Sequence, residues 1–248
     1  SAQLLKCDDK ADDATRPAAA PSPPNVAKFY QLEEGVCLNG DKASLYAYHE
    51  PADKGTSNEW VIQFGGPPEL NWCIDEEHCA IFGAPSAPGT TCSTNSSLCP
   101  VNTTLLGFGG PFSTNCTDNP EFCHFNMVQL VPSCTMDMFL GSNAYKNNTN
   151  YTLHFDGLNV LRASIAKLGT LGLNKAESVL LTGVAHAGSM VYLHADRVHA
   201  QIKALSPALK KFKALPVDGL HPKLGSVIYA GNDMSGPRPD TWLTTAFE

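Results

Sequence analysis

Residues 182–188, with the sequence TGVAHAG, lie between a segment predicted to form a strand and one predicted to form a helix. A tight turn between a strand and a helix is a place where enzymes of acyl transfer present a nucleophile, and Gly183 and Gly188 suit such a turn. The turn itself holds no serine or cysteine. Ser189, one residue beyond it and close to His186, is a candidate nucleophile, but a serine at the start of a helix is ordinarily structural.

Other ionisable residues give weaker signals of chemistry. His186, His194 and His199 are separated by eight and five residues, so they do not share one helical face as metal ligands at i and i+4 would. We expect structural or exposed histidines, no metal site and no cofactor. Asp137 and Asp156 have no spacing that pairs them, and we expect both carboxylates to be solvated.

The elements that would position these residues alternate between strand and helix. Short apolar runs at 60–64, 127–131, 178–182 and 226–230 predict buried strands. Apolar residues recur at helical spacing between Leu158 and Leu168, with Gly169 and Gly172 marking the end of that helix, and a second helix is predicted from Gly188 to about Lys203. This order predicts an α/β fold with a mostly parallel sheet and right-handed crossovers.

The chain's length and its 43% hydrophobic content suit one large domain. Residues 1–28 carry an acidic cluster and a Pro/Ala-rich run, which predict an extended N-terminal tail, and the domain is predicted over 29–248. Residues 65–126 are rich in Gly, Pro, Thr, Asn and Cys and show little periodicity. A stretch this long without regular elements is expected to be pinned by disulfides.

Cysteines and glycosylation sequons together predict an oxidising, extracellular location. All nine cysteines lie in the first 134 residues and show no zinc-type spacing. Eight are disulfide candidates, with the pairing left open: Cys37, Cys73, Cys79, Cys92, Cys99, Cys116, Cys123 and Cys134. The odd one is expected to be Cys7, which is free or bonded to another chain. Sequons begin at Asn95, Asn102, Asn115, Asn147 and Asn150.

Charge and hydropathy exclude two classes of partner. A formal net charge of −7, without clustered Lys and Arg, argues against nucleic-acid binding. The sequence has no run of about 18 apolar residues, so no transmembrane helix is predicted. The first residue is Ser1 rather than Met, which suits a secreted product after signal-peptide removal. Expected partners are extracellular proteins or polysaccharide.

Several motifs, in the same order, resemble the pectin acetylesterase and Notum carboxylesterase family. Residues 181–188, LTGVAHAG, resemble the family's L-T-G-C-S-A-G-G, and residues 192–196, YLHAD, resemble its L-x-H-C-D. Residues 213–219 resemble its K-C-L-S-D-A-G, residues 37–40 its C-L-D-G, and residues 60–73 its W-x-x-x-x-E-G-G-G-W-C. The resemblance implies an α/β-hydrolase-like fold and a nucleophile elbow at residues 183–188.

The departures from the family pattern fall on its catalytic parts. The family's nucleophilic serine corresponds to Ala185, whose methyl group can neither attack a carbonyl nor release a proton. In the oxyanion segment, Gly65 and Gly66 are followed by prolines, which have no N–H to donate. The family's acid and base lie beyond the last matched position, so the chain is expected to be C-terminally shortened. Three family cysteines are replaced, by Val184, Ala195 and Ala214.

These departures favour a catalytically inactive, secreted glycoprotein that serves as a structural or carbohydrate-associated component of a cell wall or other extracellular assembly. The alternative is a carboxylic-ester hydrolase that deacetylates a cell-wall polysaccharide, with chemistry supplied by Ser189 or by a separate C-terminal piece. A third interpretation is a lectin-like role in which Trp60 and Trp72 stack on a sugar; both tryptophans are equally compatible with a place in the core.

Overall fold

The computed structural model describes residues 26–48, 58–65, 79–80, 102–104, 116–117, 119–130, 134–146 and 152–217. Nine strands and two α-helices lie wholly within these ranges, and Cys79 and Ala80 are also helical. The strands are β1 (Val26–Val36), β2 (Lys42–Tyr48), β3 (Glu59–Phe64), β4 (Asn102–Thr104), β5 (Asn126–Leu130), β6 (Asn143–Lys146), β7 (Thr152–Phe155), β8 (Ser178–Val184) and β9 (Lys211–Val217). The helices are α1 (Gly157–Thr170) and α2 (His186–Leu205).

Seven strands form a mixed sheet in the order β4-β1-β2-β5-β3-β8-β9. The parallel part consists of β5, β3, β8 and β9, in which β3 is hydrogen-bonded to both β5 and β8 and β8 to β9. The antiparallel part adds β2, β1 and β4. Outside this sheet, β6 and β7 form an antiparallel pair.

The strands predicted at 60–64, 127–131 and 178–182 are confirmed as β3, β5 and β8, because each is an apolar run that is buried in the sheet. The strand predicted at 226–230 lies outside the described residues. The prediction did not include β1 and β2, and β1 begins at Val26, inside the predicted tail.

Both described helices pack on one face of the sheet and share a single apolar core with it. On the sheet side this core includes Trp60, Ile62 and Phe64, and on the helix side Leu161 and Val198. The alternation of side chains along a strand sends Val61 and Gln63 to the opposite face. There, Val61 packs in a smaller cluster with Leu180, Phe125 and Phe122.

The predicted end of α1 needs one correction. Gly169 lies inside the helix, because α1 continues to Thr170. A Cβ at Gly169 would lie only 2.9 Å from the Leu205 side chain of α2, so this glycine allows the two helices to approach closely. Gly172, with φ of 114°, is the glycine at which the backbone turns out of the helix.

Two disulfides have both cysteines among the described residues: Cys37–Cys134 and Cys116–Cys123. Cys79 is also disulfide-bonded. The other candidates, Cys73, Cys92 and Cys99, and the expected odd residue, Cys7, lie outside the described ranges. The sequon at Asn102 begins β4; those at Asn95, Asn115, Asn147 and Asn150 have their asparagines outside them. Neither described helix is long and apolar enough to cross a membrane.

Candidate functional site

The strand-to-helix turn predicted from the sequence is present between β8 and α2. The strand ends at Val184, Ala185 alone forms the connection, and the helix begins at His186. Ala185 has φ of 54° and ψ of −120°, a backbone conformation that L-residues adopt rarely and at a cost. Ala185 therefore occupies the apex of a strained turn, and its side chain is a methyl group.

Contacts on both sides hold this turn in place. The backbone N–H of Ala185 donates to the carbonyl oxygen of Val217 at 2.8 Å, which ties the apex to the end of β9. The carbonyl oxygen of Ala185 accepts a hydrogen bond from the N–H of Ser189 at 3.2 Å, which closes the first turn of α2. A Cβ at Gly183 would lie 2.4 Å from the carbonyl oxygen of Ala187, so only glycine permits this close approach of strand and helix.

The residues predicted around the turn are brought together as the sequence indicated. Gly188 is buried in the first turn of α2, and His186 and Ser189 are partly buried there. Gly183 lies opposite Phe64, the last residue of β3, in the parallel register. Gly65 follows directly, so the oxyanion segment and the elbow meet at the carboxyl edge of the sheet.

Gly65 is not available as an oxyanion donor in this arrangement. Its backbone N–H donates to the carbonyl oxygen of Leu130 at 2.9 Å and so extends the pairing of β3 with β5. The neighbouring Gly66 lies outside the described residues. An oxyanion hole needs N–H groups directed at the developing charge, and the N–H of Gly65 is already used within the sheet.

The histidines of α2 lie in separate environments. His194 is fully buried, and its Nε2 lies 2.7 Å from the carbonyl oxygen of Met138, to which an Nε2–H donates. Burial lowers the pKa of His194, and the charge of Arg197 lowers it further, while the hydrogen bond to Met138 opposes these effects. The exposed His199 stacks on Phe212 of β9, with ring centroids 4.7 Å apart. Within the described ranges, no three His, Cys, Asp or Glu side chains converge on a metal-sized site.

The expectation that Asp137 is solvated is wrong. Its carboxylate is buried and accepts four hydrogen bonds, from the Thr135 hydroxyl at 2.6 Å and from the backbone N–H groups of Phe139, Gly141 and Gly157 at 3.0, 3.1 and 2.9 Å. Burial raises the pKa of Asp137 to about 6, against the opposing effect of these hydrogen bonds. No pattern near Asp137 indicated this role, because the donor at Gly157 comes from a different element.

Asp137 lies in a loop with unusual backbone geometry. Met136, Met138 and Phe139 all have positive φ, between 55° and 60°. This conformation is uncommon for residues with a side chain, and surrounding contacts must hold it. The four hydrogen bonds to Asp137, together with the contact between Met138 and His194, supply such contacts.

Two other predicted residues are also placed by the structure. Asp156 is partly buried rather than freely solvated: its carboxylate accepts from the N–H of Val36 at 3.0 Å and from the Asn159 amide at 2.7 Å. Trp60 is fully buried in the core, so the interpretation that it stacks on a sugar is wrong. Trp72 lies outside the described residues.

Comparison with known proteins agrees with the motifs and with the fold. A family model described as Pectinacetylesterase matches residues 19–221. The chain belongs to the pectinacetylesterase family. Within it, pectin acetylesterase 11 of Arabidopsis thaliana is 28% identical over 181 residues, which cover 73% of this chain and 41% of the relative. The palmitoleoyl-protein carboxylesterase NOTUM of Homo sapiens is 30% identical over 111 residues, 45% of this chain and 21% of the relative.

A solved structure supports the family's fold for this chain. The structure of the Wnt deacylase Notum from Drosophila matches with a TM-score of 0.57 at 22% identity, over 77% of this chain and 52% of that chain. The predicted α/β-hydrolase-like fold is thereby confirmed. The chain spans about two fifths of the length of the pectin acetylesterases it matches.

Proposed function

We propose that this chain is a catalytically inactive member of the pectinacetylesterase family, which serves as a structural or carbohydrate-associated component of an extracellular assembly such as a cell wall. One observation carries the proposal: Ala185 occupies the apex of the strand-to-helix turn, the position of the nucleophile in this type of fold. Without a hydroxyl or thiol at that point, no acyl-enzyme can form there.

The shortage of N–H donors in the oxyanion segment supports the same proposal. The N–H of Gly65 is bonded to Leu130, and Pro67 and Pro68 follow in the sequence without N–H groups. Removing one oxyanion donor from an esterase-type site typically costs about 100- to 1,000-fold in kcat. Loss of donors as well as the nucleophile is what we expect of a scaffold released from selection for hydrolysis.

The extracellular part of the proposal rests on disulfides and sequons. Cys37–Cys134 and Cys116–Cys123 are bonded in the fold, and disulfides persist in oxidising compartments. The five sequons add the expectation of N-glycans. Partners are then extracellular proteins or polysaccharide, with Cys7 as a candidate for an intermolecular disulfide. Intact masses of the secreted protein, reduced and non-reduced, with and without deglycosylation, test these expectations.

The alternative function is that of an active carboxylic-ester hydrolase. The names of the chain's relatives favour it, because they are called acetylesterases and carboxylesterases. Its candidate nucleophile is Ser189, which lies on the first turn of α2 and is partly buried. Turnover of p-nitrophenyl acetate by the wild-type protein and by a Ser189→Ala variant separates the two functions. The inactive scaffold predicts background rates for both proteins. Robust wild-type turnover that Ser189→Ala abolishes would establish the hydrolase instead.

A further inference from the structure

Three polar side chains lie side by side across the central parallel strands, on the face opposite the two helices. In the register of the sheet, Gln129 of β5 pairs with Gln63 of β3, and Gln63 pairs with Thr182 of β8. All three are buried, with 3%, 3% and 1% of their surfaces exposed. We call these three residues, two glutamines and one threonine, the amide row. Buried polar side chains are costly unless they are hydrogen-bonded, so their presence in the middle of a sheet needs an explanation.

The two glutamine amides of the row converge on a single point beside Gly65. A Cβ built on Gly65 would lie 3.5 Å from Nε2 of Gln63 and 3.6 Å from Nε2 of Gln129. Glycine has no Cβ, so the amide nitrogens of Gln63 and Gln129, on two neighbouring strands, border the position that a Cβ of residue 65 would occupy. Two side-chain amide nitrogens that border one point can both donate to a hydrogen-bond acceptor placed there.

One of these donors lacks a partner. Nε2 of Gln129 is fully buried, and no hydrogen-bond acceptor is found for it in the part of the chain that the structure describes. Leaving such a donor unsatisfied costs about 1–3 kcal/mol. A ligand oxygen placed at the convergence point would recover that cost.

The location of the row is where α/β proteins bind ligands. Thr182 is three residues before Ala185, and Gln63 is two residues before Gly65, at the carboxyl ends of the parallel strands. Beyond the row, toward the same edge, Val184 and Val217 are opposite one another in register and are 38% and 39% exposed. A polar point with exposed apolar side chains at the same edge of the sheet suits a small ligand that has one carbonyl group and an apolar remainder.

We propose that the amide row binds the carbonyl oxygen of a small, uncharged ester or amide at Gln63 and Gln129. An uncharged acceptor is favoured because only two neutral amides border the point, whereas the buried carboxylate of Asp137 is held by four donors. The inference rests on the proposed function in one respect: with Ala185 at the turn, the bound ester is held without being cleaved.

Ethyl acetate and N-methylacetamide are the probes, titrated into the ¹⁵N-labelled protein while the side-chain NH₂ resonances are recorded. Binding at the row shifts the NH₂ signals of Gln63 and Gln129 in a saturable manner. Gln129→Leu, which keeps the size of the side chain without the amide, is expected to weaken binding roughly tenfold, the value of one good hydrogen bond. Gln201→Leu on α2 is the matched control and should bind as the wild type does.

The same samples distinguish failure of this site from failure of the proposed function. Free acetate accumulating from ethyl acetate would mean that the chain is an active esterase, whatever happens at the row. Absence of any NH₂ shift, with ethyl acetate intact, would overturn the carbonyl site alone. Equal affinities for wild type and Gln129→Leu would also overturn it. If Gln129→Leu fails to fold, the wild-type NH₂ shifts still decide the question.

Discussion

The backbone N–H of Ala185 donates a 2.8 Å hydrogen bond to the carbonyl oxygen of Val217, so the apex of the turn after β8 is held by the last residue of β9. This bond helps to keep Ala185 in a backbone conformation with φ of 54°. The turn thus retains the strained geometry that presents a nucleophile, although no nucleophile is there. We expect the geometry to persist because the surrounding packing determines it.

Replacing Ala185 with glycine should stabilise the protein. Glycine adopts positive φ without the steric cost that alanine has, and relief of that strain is worth about 1–2 kcal/mol, partly offset by the greater entropy of glycine in the unfolded chain. The expected net gain of about 1 kcal/mol raises the Tm by about 2–4 °C. Thermal unfolding followed by circular dichroism measures it.

Ala187→Gly is the matched control, because Ala187 lies in the helix next to the turn and does not have positive φ. It should lower the stability by about 1 kcal/mol, the cost of glycine in a helix. A lower Tm for Ala185→Gly than for the wild type would mean that Ala185 is not strained.

Restoring the family's serine should not restore hydrolysis. In an Ala185→Ser variant, the new hydroxyl would still lack the N–H of Gly65, which is bonded to Leu130. We expect turnover of p-nitrophenyl acetate at the wild-type background. A large gain in rate from this single change would show that the alanine at position 185 alone prevents hydrolysis.

Asp137→Asn should be strongly destabilising at pH 7. The carboxylate accepts hydrogen bonds from Thr135 and three backbone N–H groups, and an asparagine would direct its own N–H₂ at one pair of these donors. Loss of buried, charge-assisted hydrogen bonds predicts a decrease of about 2–4 kcal/mol in the free energy of unfolding. Urea denaturation measures it, with Asp196→Asn on the exposed face of α2 as the control. Equal stabilities of the two variants would contradict the anchoring role of Asp137.

His194 should make the fold sensitive to acid. Burial lowers the pKa of this histidine in the folded state, so below its ordinary value of about 6.5 the unfolded chain takes up a proton that the folded chain does not. The contribution of His194 to stability is therefore present at higher pH and is lost as the pH falls below about 6.5.

The free energy of unfolding is measured for the wild type and for His194→Gln from pH 5 to pH 8, and the difference is taken at each pH. Asp137 is present in both proteins, so its contribution cancels in this difference. This difference should grow with pH. A flat profile for His194→Gln would contradict the burial of a neutral His194.

Both described disulfides should stabilise the fold, to different extents. Cys37 and Cys134 are separated by 97 residues, and Cys116 and Cys123 by seven. In the chain-entropy model, removing the longer cross-link costs about 4–5 kcal/mol and the shorter about 2–3 kcal/mol. Paired Cys→Ser variants compared by thermal unfolding test this order. A larger loss for the 116–123 pair would contradict it.

The sequence predicted those elements whose own pattern determines them. β3, β5 and β8 are mostly apolar, and α1 and α2 have helical periodicity, so local pattern and tertiary burial agree. In contrast, β9 was not predicted as a strand: it contains two lysines and Pro216 among seven residues, most of them exposed, and its strand state depends on pairing with β8. β1 and β2 depend in the same way on their mutual pairing.

For the site, the sequence located the turn and the alanine within it but not the surrounding contacts. The position of Ala185 follows from residues close in sequence. The role of Asp137 depends on an N–H twenty residues away, and the amide row depends on the register of three strands. The disulfide pairing was likewise open, because cysteine positions do not determine connectivity. Such relationships arise only when distant segments pack together.

The central claim is that the turn at Ala185 has no working nucleophile, and covalent labelling tests it most directly. The secreted, deglycosylated protein is incubated with a fluorophosphonate, and its intact mass is measured before and after, with a catalytically competent serine esterase as the positive control. We predict an unchanged mass. A stoichiometric phosphonate adduct that depends on the native fold, mapped by peptide analysis to Ser189 or any other serine, would contradict the account.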